Sequence, residues 1–408
     1  MMINNNNNSN KLLAYRPIVL FWRTFGVFPV NTLDENRKSD ASLPILSTLL
    51  LLASCVYVLF VGPAVVCRFG DKCSNQSIRV LKDMYPKIVN VTSMLSRIAL
   101  SYSVTARFDK YRETMGCYET YSPTTVAEVG RYRVFTAAAV SACLLLVLPV
   151  NVLRLCMLWT PDGRDPAPMQ GIAFYAFIYV QNVTMCCSET QFAEQCFALY
   201  SKIKAVNDDV AVLGRSAGLA RSPRRSGRGN AAGTAPDAPA GGVAAAVDAV
   251  ESLRIRHWLL REAIGCLNHI FGVQLGMSVC ALCVMTFFDI YYETFHVMGK
   301  YAMSDLIFYC WMLHYAVRYV GIILMSHYTT KQAIYTKTLI ANLKSNCLDY
   351  SINQELHLFL DQLSHSSVEF TACDVFTLNI RLIISTFAAG LTYLVILIQY
   401  QTNIKNST

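Results

Sequence analysis

The sequence predicts an all-α polytopic membrane protein. It has seven transmembrane helices, a cytoplasmic N-terminus, and cytoplasmic helical extensions that form an anchor bundle. Three observations lead there. Of 408 residues, 54% are apolar and 15% charged, and mean hydropathy is +0.35, whereas soluble domains carry about 25% charged residues. Long uncharged stretches recur along the whole chain. Lys and Arg crowd into alternate segments between those stretches.

A bilayer core of about 30 Å takes roughly 20 apolar residues as a helix, because hydrocarbon offers backbone groups no partner. Segments 43–66, 134–153, 169–188, 270–288 and 382–404 qualify without one Asp, Glu, Lys or Arg. Segments 88–104 and 306–325 complete the seven, although they carry Arg97 and Arg318. An intramembrane Arg is costly unless it faces the bundle interior. Both are therefore expected to be structural, paired with an acceptor such as Asp289 or a carbonyl.

Of the 35 Lys and Arg, 24 fall in the N-terminal tail and in the segments after spans two, four and six; nine fall in the opposite set. The positive-inside rule then places the N-terminus in the cytoplasm and the C-terminus outside. The net charge of +8 is read as a topology signal and not as a nucleic-acid surface. A G-protein-coupled receptor would have the reverse orientation. Its signatures are also missing, since no Asp-Arg-Tyr closes span three and no Asn-Pro-x-x-Tyr lies in span seven.

The expected layout begins with a cytoplasmic tail over 1–42 and spans one to four over 43–200. A cytoplasmic loop follows over 201–262, with an insertion at 214–247 rich in Arg, Ser, Gly, Ala and Pro, a flexible-linker composition. Spans five and six occupy 263–326, cytoplasmic anchor helices 327–381, the last span 382–404 and an extracellular tail 405–408. Span four should continue as an amphipathic helix through 189–206, with Phe192, Cys196, Leu199 and Ile203 on one face.

Along span seven, Ser385, Ala389, Thr392, Ile396, Gln399 and Asn403 share one helical face. Two readings of this small, polar stripe compete. It either packs helices closely through small and amide side chains or lines a water-filled path with a constriction at Ile396 or Tyr400. Thr392-Tyr393, five aliphatics, then Gln399-Tyr400 resembles the last-span signature of insect gustatory receptors: Thr-Tyr, five hydrophobics, Gln, Phe. The segment from Val368 to Asn379 also resembles the lead into that span. Tyr400 departs from the family's Phe and adds a hydroxyl.

The resemblance implies a tastant-gated, nonselective cation channel in the plasma membrane of chemosensory neurons. It would be a homotetramer, or a heterotetramer with other such subunits, each lending its last span to a central pore. Gln399 and Tyr400 match the pore-lining and gating positions, with Thr392, Ile396 and Asn403 beside them. An insect odorant receptor subunit is the alternative, and a G-protein-coupled receptor a more distant one. Each subunit would hold a small tastant in its outer half. The candidates there are Trp311, Tyr291, Tyr292, Tyr179, Tyr175, Gln181, Asn182, Asn151, Trp159 and Asn90. Rings near span ends also serve as interfacial anchors, and a mid-helix amide can simply bond a neighbour.

Cys67 and Cys73 are spaced for a short bridge in the first outer loop, and Asn75 is the candidate glycan site, ahead of Asn406 near the membrane. Cys280-x-x-Cys283 lies in an apolar helix without further ligands, so no metal site is expected. No nucleotide loop or nucleophile motif occurs, so neither catalysis nor a cofactor is expected.

Overall fold

The computed structural model describes residues 48–60, 76–159, 169–220, 240–298, 305–346, 349–365 and 368–407. The tail 1–42, Cys67, Cys73, Asn75 and residues 221–239 of the insertion lie outside the described residues. The helices are α1 (Thr48–Phe60), α2 (Gln76–Tyr121), α3 (Val126–Trp159), α4 (Met169–Ala220), α5 (Ala240–Met298) and α6 (Asp305–Asn346). They are followed by α7 (Tyr350–Ser364), a hairpin of β1 (Thr371–Ala372) and β2 (Phe376–Thr377), and α8 (Ile380–Ser407). Every apolar segment singled out above falls on one of these helices, the first of them over its described residues 48–60. By length and hydropathy, Val126–Leu153 and Ala244–Ile290 are long and apolar enough to cross a membrane; Thr48–Phe60 and Ile380–Ile396 are shorter apolar helices.

Local chemistry sets the helix ends. At the start of α3, Glu128 N donates to Thr125 Oγ1 at 3.3 Å and Thr125 N donates to Glu128 Oε2 at 2.9 Å. This reciprocal capping box satisfies two backbone donors that a first helical turn otherwise leaves orphaned. Asp349 caps α7 by accepting from Ser351 N and Ile352 N. Asn379 starts α8 by accepting from Leu382 N at 3.2 Å.

The helix α4 runs through the centre, touching α2, α3, α5 and α6. Its residues Phe192, Cys196, Leu199 and Ile203 are buried, on the face read from the sequence. Long helices pass from the apolar half into a polar bundle without interruption. There Asn207 of α4 donates to Gln332 O of α6 at 3.0 Å and accepts from Thr336 Oγ1 at 2.7 Å. Arg256 of α5 reaches Asp209 at 2.7 Å, and the Lys202 ammonium lies 4.7 Å from the Tyr118 ring centroid.

Helix continues through Gly214 to Ala220 and resumes at Ala240, so both ends of the insertion are helical. The stretch 327–381 holds the end of α6, α7 and, in its last part, the hairpin. That hairpin is clamped on α5. Asn268 Nδ2 donates to Glu369 O at 2.6 Å and its Oδ1 accepts from Thr371 N at 3.3 Å, standing in for a strand partner. Cys373 N donates to Gly272 O at 3.0 Å. A Cβ at residue 276 would run into Cys373 Sγ, so glycine there admits the turn. Cys373 and Asp374 hold φ of 53° and 54°, in the left-handed region that Asp tolerates better than most residues.

His257 of α5 is buried, 5.7 Å from the Phe359 ring of α7. Burial, then the charge of Arg261, pushes its imidazole from 6.5 down to about 4. A group whose proton affinity is lower folded than unfolded contributes stability that is lost as pH falls from 6.5 through about 4. The gap corresponds to about 3 kcal/mol at 1.36 kcal/mol per pH unit. Melting the detergent-purified protein at pH 7 and pH 4.5 should show that loss, and His257→Phe should shrink it. An unchanged pH difference in the variant would remove His257 from the account.

Candidate functional site: a buried polar and aromatic cluster beside the last helix

Tyr175, Tyr179, Asn182, Cys186 and Glu189 follow one another at i, i+4, i+7, i+11 and i+14 on α4, which puts them on one face. On α6 the run is Trp311, His314, Tyr315 and Arg318. The two faces meet. Arg318 Nε donates to Glu189 Oε2 at 2.7 Å and Nη2 to Glu189 Oε1 at 2.8 Å, a bidentate pair with side chains 3% and 5% exposed. Arg318 Nη1 donates to Asn182 Oδ1 at 2.6 Å and lies 3.2 Å from His314 Nε2. The partner of Arg318 is thus Glu189, not Asp289.

Aromatic rings cover this knot on one side. The Tyr179 and Trp311 centroids are 5.7 Å apart, Trp311 stands edge-on to Tyr315 at 5.7 Å, and His314 lies 4.6 Å from Tyr315. Tyr175 joins through Tyr179 at 6.3 Å. Two buried donors here have no protein acceptor, Trp311 Nε1 and Asn182 Nδ2. The amide cannot be turned over to help, because Arg318 only donates and needs the Asn182 oxygen. With the charges mutually neutralised, the cluster places two unsatisfied donors beside flat apolar rings.

Of the expected pocket residues, Trp311, Tyr179, Tyr175 and Asn182 come together. Gln181 faces elsewhere: its Nε2 donates to Leu51 O at 2.9 Å and Ser54 Oγ at 2.7 Å, and Ser93 Oγ donates to its Oε1 at 3.0 Å. It ties α1 and α2 to α4. Asn90 is buried on α2, and Asn151 is buried on α3 with its Nδ2 unpartnered. Trp159, Tyr291 and Tyr292 sit on helices, but their side chains lie outside the described residues. Glu189, His314 and Tyr315 were missed. A legible signal existed for Glu189, an acid two helical turns beyond Asn182 in a chain whose expected span six carries Arg318 and so needs a counter-charge.

Along α8, Thr392 and Gln399 are exposed and Ile396 is 52% exposed. Tyr393 is 68% exposed, and the side chains of Tyr400 and Asn403 lie outside the described residues. Ser385 and Ala389, the start of the small-residue stripe, line a cavity of about 480 Å³ between α5 and α8. Both are exposed, as are Thr392, Ile396 and Gln399 further along the same face.

A sequence profile described as the 7tm chemosensory receptor family matches residues 15–404. The chain belongs to that family. This chemosensory receptor is 27% identical over 165 residues to a protein named as gustatory receptor 28b of Drosophila melanogaster, covering 38% of this chain. The match spans about a third of that relative's length, 35%. Among solved structures, the fold resembles the insect olfactory receptor OR5 from Machilis hrabei, with TM-score 0.63 and 10% identity over 94% of this chain and 97% of the other. The same receptor in complex with eugenol gives TM-score 0.60 at 10% identity, with the same coverage of both chains. The family match makes the chain a chemosensory receptor, and not an enzyme.

Breaking a buried ion pair from one side leaves a lone charge and costs about 3–5 kcal/mol, whereas removing both partners costs far less. Glu189→Ala should therefore abolish or sharply lower the surface level of the receptor, and adding Arg318→Met should restore part of it. Surface biotinylation reads this; equal levels in the single and double variants would contradict the pairing.

Proposed function

We propose that this receptor is a tastant-gated, nonselective cation channel in the plasma membrane of chemosensory neurons, with four copies surrounding a central pore lined by α8. The observation that carries the reading is the exposed run Thr392, Ile396 and Gln399, on a helix whose sequence bears the gustatory last-span signature. One stripe cannot surround an ion, so copies must face one another about an axis. Gln399 and Tyr400 would then form the lining and gate, with Thr392, Ile396 and Asn403 above and below. A ring of neutral amides has a weak field and discriminates little among cations.

The tastant would occupy the cluster between α4 and α6, against Trp311, Tyr179, Tyr175 and Asn182. Trp311 Nε1 and Asn182 Nδ2 would supply the donors a ligand's oxygen or ring nitrogen completes. Ligand binding would shift a closed–open equilibrium through its differential affinity for the two states. The likeness in fold to an olfactory receptor supports a second reading, an odorant subunit that conducts only with a co-receptor.

Whole-cell recording from cells expressing this chain alone addresses both. A nonselective current should appear without a second subunit. Gln399→Ala should change its reversal potential or unitary conductance while surface expression holds. Unaltered permeation in the variant counts against the pore assignment, and current that requires a co-receptor favours the odorant reading.

A further inference from the structure

The helix α6 carries the cluster on one face and continues toward α8. Tyr319 follows Arg318 directly and lies four residues beyond Tyr315 and eight beyond Trp311, so its ring leaves the helix on the flank of the same face. Its hydroxyl donates to Thr386 Oγ1 at 2.9 Å and lies 3.4 Å from Leu382 O, both on α8. The ring is 9% exposed, which shields this neutral hydrogen bond from water. One turn further along α8, Gly390 meets the Phe287 ring of α5 so closely that a Cβ would overlap it. Beside these two contacts, the cavity of about 480 Å³ is lined by Cys283, Phe287, Ser385, Thr386 and Ala389. So α8 is bonded to α6 at Thr386, with the cavity beside that bond and a tight contact with α5 one turn on.

We propose that Tyr319 is the coupling residue of this receptor, carrying displacement of α6 to the last helix through its hydrogen bond to Thr386. The inference rests on the channel reading above and adds the link between cluster and pore. Arg318 fixes α6 to α4 by two charge-assisted bonds, so a guest that repositions Trp311 or His314 turns α6 about that point without sliding it. Tyr319 moves with it. A bond of 2.9 Å has little stretch, so Thr386 either follows into the adjoining space or the bond breaks, which gives a two-state element. Tyr319 touches neither the proposed ligand position nor the permeation path, and acts only by positioning α8.

The test is a double-variant cycle on the full chain, reconstituted in phosphatidylcholine vesicles and fused to planar bilayers, reading spontaneous open probability and unitary conductance. Tyr319→Phe deletes only the hydroxyl, Thr386→Val deletes the acceptor, and Thr386→Ser retains it. One neutral hydrogen bond corresponds to an effect of about two- to tenfold on the closed–open ratio. Each deleting variant should shift open probability by that factor in the same direction, the double variant should shift it no further, and Thr386→Ser should match the wild type. Unitary conductance should not move in any of them, a pattern that loss of general stability does not produce. Additive effects of the two deletions, or open probabilities equal to wild type, overturn the coupling role while leaving the channel intact. No unitary opening in the wild type removes the channel reading and this proposal with it.

Discussion

The bidentate pair between Arg318 and Glu189 is the constraint on which the rest of the apolar half depends. A guanidinium and a carboxylate taken out of water each lose several kcal/mol of hydration, which only close and well-aligned partners offset. The two side chains meet that condition with contacts of 2.7 and 2.8 Å, and Asn182 and His314 take up the remaining guanidinium edge. Such a contact tolerates almost no axial slip. It therefore fixes the register of α6 against α4, and with it which rings face each other above and which hydroxyl reaches α8 below. An apolar contact between the same helices would allow sliding, because hydrocarbon packing has no comparable directionality.

A second constraint acts on α5. The short segment before α8 lacks the strand partners its backbone would need, and Asn268 supplies both a donor and an acceptor to it. Gly272 and Gly276 leave α5 bare where the turn approaches. Phe370 of the same segment packs edge-on to Phe192 of α4 at 5.6 Å. The entry to α8 is thus held by three bonded or packed points, while the helix beyond it is exposed along much of its length.

The helices were legible because lipid imposes length and hydropathy on any spanning segment, and those are properties of consecutive residues. The amphipathic face of α4 from Phe192 to Ile203 was legible for the same local reason. Arg318's partner was not, since Glu189 and Arg318 are 129 residues apart and pairing depends on how two helices dock. Gln181 looked like a pocket amide and is a structural tie, because its direction around α4 differs by one residue step, about 100°, from that of Asn182. The hairpin at 371–377 was not legible in the sequence. Its strands are two residues long and depend on α5 for support, so no periodicity marks them.

The central claim is that α8 turns the exposed Thr392, Ile396 and Gln399 toward an aqueous axis shared by several copies. The most direct measurement is an electron cryomicroscopy structure of the full chain in lipid nanodiscs. The account predicts four copies around a continuous conduit, with Gln399 facing it. A monomer, or an assembly whose α8 helices face lipid with no central opening, would contradict it.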